Sequence, residues 1–107
     1  MADATTSSPE EATRILTASH RPVTTNQYGS YIVAGFAVAP GISGKVRVTH
    51  ATPNPDLLDP ERPSDDEVAD ARHRMVNAYA TTLTEAGWTV EKRAPRSRYP
   101  YLLASRT

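Results

Sequence analysis

The sequence predicts an α+β domain: a four-stranded, mainly antiparallel sheet made of two hairpins, packed against one long helix, with a short N-terminal helix (α-β-β-α-β-β). Three observations predict it. Residues 64–87 carry matched helix start and stop signals around an amphipathic stretch. Residues 29–50 and 88–104 each hold two β-patterned runs joined by a short Gly- or Pro-containing link. The chain has 107 residues, enough for one core and not for two.

Residues 1–8 are small and polar without periodicity, so a disordered tail is expected there, with 9–107 as a single α+β domain. Ser8-Pro9-Glu10-Glu11 opens the short helix: Ser as N-cap, Pro at the first helical position, Glu three residues after the cap. It covers about residues 9–18 with Ala12, Ile15 and Leu16 as its apolar positions and ends before His20-Arg21-Pro22; a strand beginning near Arg14 is the competing reading, since Thr13-Arg14-Ile15-Leu16-Thr17 also alternates loosely.

Residues 29–39 are the most apolar stretch, rich in β-branched and aromatic side chains, which predicts a central strand buried on both faces. Pro40-Gly41-Ile42-Ser43-Gly44 is a turn by composition. Lys45 to His50 then alternates, with Val46 and Val48 on one face and Lys45, Arg47 and Thr49 on the other. So short a link makes the two runs an antiparallel hairpin.

Pro53, Pro55, Pro60 and Pro63 exclude helix or central strand over 51–63, and Leu57-Leu58 are expected to pin this crossing loop to the core. Ser64 caps the long helix at 65–86, Asp65-Asp66-Glu67 place negative charge on its first turn, and Gly87 terminates it. At 100° per residue, Val68, Ala71, Met75, Ala78, Tyr79, Leu83 and Ala86 share the buried stripe. Trp88–Arg93 alternates again with Trp88 and Val90 inward. Tyr99–Ala104 reads as a last strand, which Pro100 marks as an edge or an interrupted one. The expected core is Ile32, Phe36 or Val38, Val46, Val48, Met75, Tyr79, Leu83, Trp88 and Val90.

The absence of cysteine removes disulfides, Cys-based zinc sites and a cysteine nucleophile. The stretch Ala39–Val46 brushes against a phosphate-binding loop but lacks its first glycine, the hydroxyl after the lysine and the following helix. Asp66, Asp70 and His73 align at i, i+4 and i+7, as an exposed helix face does by default; no metal and no cofactor is expected. No serine sits in a nucleophile motif, so no catalytic residue is assigned. No apolar run suffices for a membrane span and the first residues do not resemble a secretory signal; a cytoplasmic chain is expected.

Twelve basic and twelve acidic side chains give net zero charge, unevenly spread. Residues 53–72 carry −5, residues 88–107 carry +4, and residues 20–50 carry +3. Arg72 breaks the apolar stripe of the long helix and is either a side chain that snorkels along the sheet edge or pairs with a carboxylate such as Glu91, or a charge that faces a pocket or a partner. With one helix layer, the other sheet face is left open. Two functions fit this pattern. The first is a non-enzymatic interaction module that self-associates as a homodimer through the open face or an edge strand and binds another protein. The second is nucleic-acid binding by Lys45, Arg47, Lys92, Arg93, Arg96 and Arg98, with Tyr99 and Tyr101 stacking on bases.

Overall fold

The computed structural model describes residues 8–53 and 57–106. Helix α1 spans Pro9–Thr17, followed by strands β1 (Thr24–Thr25), β2 (Tyr31–Val33), β3 (Gly35–Pro40) and β4 (Val46–Ala51). Then come α2 (Asp65–Glu85), β5 (Trp88–Arg93) and β6 (Tyr101–Arg106). The fold is α+β. Four strands form an antiparallel sheet in the order β3-β4-β6-β5, and β1 pairs with β2 in a separate small ribbon.

The helix ends follow their capping signals. Ser8 Oγ accepts the Glu11 N–H at 3.4 Å and Ser64 Oγ accepts the Glu67 N–H at 3.1 Å. Gly87 takes φ 92°, a left-handed value that suits glycine, and its N–H closes on the Thr84 carbonyl. Both helices pack on one sheet face: α1 against β3 and α2, and α2 across β4, β5 and β6. Between the layers lie Leu16, Phe36, Val46, Val48, Val76, Tyr79, Leu83, Trp88, Leu102 and Ala104. Full burial of a leucine such as Leu16, Leu83 or Leu102 contributes about 1.5–3 kcal/mol.

The apolar run 29–39 does not make one central strand. It breaks at Ala34, where Tyr31–Val33 turns away to pair with Thr24–Thr25 and only Gly35–Pro40 joins the main sheet. β3 is an outer strand. Phe36 and Val38 lie on its helix side, whereas the other side offers only Ala37 and Ala39, too little apolar surface to demand a second cover. Ile32, expected in the core, is 52% exposed because it belongs to the ribbon.

The last strand is also repositioned. It starts after Pro100, runs to Arg106 and lies between β4 and β5, the centre of the sheet rather than an edge. Pro100 is buried just outside the ladder, so its missing N–H costs no sheet hydrogen bond. Leu57 and Leu58 do not pin the loop to the core; they are 73% and 93% exposed. The buried stripe of α2 runs through Ala69, Val76, Tyr79 and Leu83, with Met75 only partly buried. Of the expected tail, Ser8 is the α1 cap and residues 1–7 lie outside the described residues.

The outer edge of β3 is closed by the chain that precedes the ribbon. The Phe36 N–H donates to the Arg21 carbonyl at 3.1 Å, and the Val23 N–H donates to the Phe36 carbonyl at 2.9 Å. This approach is possible only at glycine: a Cβ on Gly35 would stand 2.4 Å from the Arg21 oxygen. Gly35→Ala should therefore cost about 1–3 kcal/mol, as overpacking does. Urea unfolding measures the loss, and the Val23 and Phe36 amides should lose hydrogen-exchange protection with it. An unchanged midpoint would refute the close approach.

Candidate functional site

Hydrogen-bond alternation fixes which backbone groups the sheet leaves unused. In an antiparallel ladder each residue directs its N–H and C=O to one side and the next residue directs them to the other. Phe36 points outward, so Ala37 and Ala39 face Thr49 and Arg47 on β4. The phase is kept at the turn, where the Gly41 N–H donates to the Lys45 carbonyl at 2.8 Å. Val46 and Val48 then turn to Ala104 and Leu102 on β6, and Tyr101 and Leu103 turn to Arg93 and Glu91 on β5. This leaves Trp88, Val90 and Lys92 with N–H and C=O aimed away from the sheet, and no strand pairs there among the described residues.

The face away from the helices carries the charges expected of it. Arg47, Thr49, Thr89, Glu91, Arg93, Tyr101 and Leu103 share it by register. The Arg47 guanidinium lies 4.3 Å above the Tyr101 ring. Glu91 binds Arg93 at 3.0 Å and Lys45 at 3.9 Å, so one carboxylate engages two of the expected cations. Leu103 is only 4% exposed although no helix covers it. The turn at Gly41 folds over it: a side chain placed there would stand 3.1 Å from Leu103 Cδ2.

The remaining basic residues do not join this face. Lys92 points to the helix side, where Nζ donates to Asn77 at 2.9 Å. Arg98 folds back onto the first turn of α2, 3.3 Å from Asp66 and 3.8 Å from Asp65. The turn that holds Arg96 and Arg98 is strapped to α2 twice more, by His73 Nε2 donating to the Ser97 carbonyl and by Arg72 Nη1 donating to the Arg98 carbonyl, both at 2.7 Å. Arg72 also reaches Thr52 Oγ1 at 3.3 Å and lies 4.6 Å from the Tyr99 ring. Its half-buried charge is thus met by a carbonyl, a hydroxyl and an aromatic face, with no carboxylate pairing it among the described residues.

Arg72, His50, Thr52, Tyr31 and Tyr99 line a broad groove of about 1200 Å³ between the end of β4 and the first half of α2. His50 Nδ1 and the Tyr79 hydroxyl are 2.6 Å apart. Burial pushes the Tyr79 phenol up to about 12 and holds it protonated. Burial, and then the Arg72 charge, pull the His50 imidazole below its ordinary value.

The β1–β2 ribbon is a fourth feature. Asn26 Oδ1 accepts the N–H groups of Tyr28 and Ser30, and Gly29 takes φ 81°, which shapes the tip. Tyr28 is 82% exposed, and Tyr31 and Ile32 are about half exposed. Residues 22–44 contain no charged side chain, so this arm presents apolar and neutral polar groups only.

Comparison of the chain with protein-family models, with curated proteins and with solved structures finds no match. No helix among the described residues is long and apolar enough to cross a membrane. Sequence reasoning missed the His50–Tyr79 pair, although continuing the alternation from Val46 and Val48 puts His50 on the helix side. It also missed the arm, because the ribbon partner Thr24–Thr25 is too short for a periodic signal.

The His50 shift sets an acid response. The folded state holds His50 below its ordinary value of 6.5, so the unfolded chain takes up the proton first. The stability this histidine contributes is complete above pH 6.5 and is lost as pH falls from there toward its folded value. Urea unfolding at successive pH values between 7.5 and 5 should show this decline, and His50→Gln should flatten it. An identical slope in the variant would remove His50 as the cause.

Proposed function

We propose that this chain is a small non-enzymatic interaction module that self-associates through the outer edge of β5 and offers the 24–33 arm to another protein. The carrying observation is the asymmetry of the two sheet edges. β3 is closed at Phe36 by the Arg21–Val23 segment and ends at Pro40, which has no N–H to give. β5 has neither safeguard over Trp88–Arg93. A bare edge is a template for another strand, and a second copy of the same strand supplies one.

Nucleic-acid binding is the second reading, and the stack of Arg47 on Tyr101 on the helix-free face favours it. Three observations weigh against it. Lys45 and Arg93 are drawn to Glu91, Arg98 is drawn to Asp65 and Asp66, and Lys92 lies on the opposite side of β5. These charges are largely balanced within the molecule.

Lys92→Pro separates edge pairing from folding. The Lys92 N–H points away from β6, so proline there removes no bond of the sheet but blocks a strand at the edge. Light scattering at high micromolar concentration should give twice 11.6 kDa for the native chain and 11.6 kDa for the variant, at similar melting temperatures. A native chain of 11.6 kDa would sink the proposal.

A further inference from the structure

We infer that the second copy pairs antiparallel to β5 with the two-fold axis at Val90, so that two sheets join into one of eight strands. This rests on the self-association proposed above and specifies its geometry. Only Trp88, Val90 and Lys92 direct hydrogen-bonding groups outward, so an antiparallel copy must match these residues with one another. The two-fold axis then passes through a residue position of β5, and three positions give substantial overlap.

An axis at Thr89 places Thr89 opposite itself and leaves the charged end of the strand beyond the pairing. With the axis at Glu91, the two carboxylates of the copies meet directly across the seam, which is destabilising. The Val90 axis sets Thr89 opposite Glu91 and Trp88 opposite Lys92, with Val90 facing its own copy. No like charges oppose one another, and both backbone groups of all three outward residues find partners.

The charged residues of this strand would ordinarily guard an edge. Here they leave the central pair uncharged: Glu91 is already held by Lys45 and Arg93, and Lys92 is held by Asn77. Val90, only partly buried in one copy, packs on the core and would be covered further at the seam. Because β3 lies at the far edge of each sheet, the two arms would stand at opposite ends of the joined sheet. At a strand spacing of ~4.8 Å the outermost strands are separated by roughly 34 Å. The dimer would therefore present two arms to a partner with two matching sites.

The chain has no cysteine, so the register can be read by placing one at a time. Residues facing each other in a non-hydrogen-bonded pair have Cα atoms about 4.5 Å apart, within disulfide range. Thr89→Cys and Glu91→Cys are made separately, oxidised alone and as an equimolar mixture, and resolved on a denaturing gel. The Val90 axis is supported if a covalent dimer forms in the mixture and neither variant cross-links alone. Cross-linking of Glu91→Cys alone, of Thr89→Cys alone, or of no combination overturns the register, provided light scattering shows both variants dimeric. A monomeric native chain overturns the underlying self-association instead. The two failures are distinguishable, and unchanged melting temperatures establish that the variants fold.

Discussion

A hydroxyl sealed in the core is the constraint around which this fold is arranged. Tyr79 is fully buried, and a buried phenol without a partner would cost about 1–3 kcal/mol. Its partner comes from β4, where His50 continues the inward face of Val46 and Val48. The same ring meets His20 edge-on at 5.0 Å and Phe36 at 5.9 Å, so one side chain of α2 touches the α1–β1 connection, β3 and β4. His20 in turn bonds Thr82 at 2.7 Å, one turn further along the helix. With His73 on the Ser97 carbonyl, all three histidines of the chain tie α2 to a separate segment.

These ties explain how a modest apolar content yields a defined structure. The hydrophobic fraction is 38%, and much of it is alanine and valine, so packing area alone leaves the segment directions loosely set. Directional bonds to α2 fix them. They also decide where charge goes: Arg72 occupies a place on the inward stripe and is accommodated because the 94–100 turn supplies a carbonyl and an aromatic ring above it. The turn that the sequence marks as basic is held over the helix by backbone as much as by charge, and one of its arginines is spent on the helix start.

How much was legible depends on the range of the cause. Both helices could be read because Ser8, Pro9, Ser64 and Gly87 act within one turn of themselves. Strand alternation could be read at 45–50 and 88–93 because one face of each is polar. It misled at 29–39, where both faces are apolar and no local signal shows that Ala34 divides two sheets. Nor could strand order be read, because Pro100 looks like an edge signal until the ladder is seen to begin at Tyr101. Placement of the basic side chains failed for the same reason. Lys92 and Arg93 are neighbours in sequence but occupy opposite faces, and the partners of Arg98 lie more than thirty residues away. At the helix-free face the reading was sound, since Arg47, Thr49, Glu91 and Arg93 sit where alternation puts them.

The position of β6 governs how the chain assembles during synthesis. Translation runs from the N-terminus, so residues 101–106 leave the ribosome after every other described element. Until they do, β4 has only β3 beside it, and β5 has no neighbour because the strand that belongs between them is still in the exit tunnel. Both helices and the first hairpin can form early from local contacts, but the sheet closes by insertion of its final segment into the middle. A nascent chain stalled before Tyr101 would leave the β6-facing edge of β4 and both edges of β5 unpaired, whereas among the described residues of the finished sheet β5 keeps only its outer edge bare. The interval between making β5 and releasing β6 is thus the period of greatest exposure to wrong strand pairing, and a brief one only if elongation does not pause there.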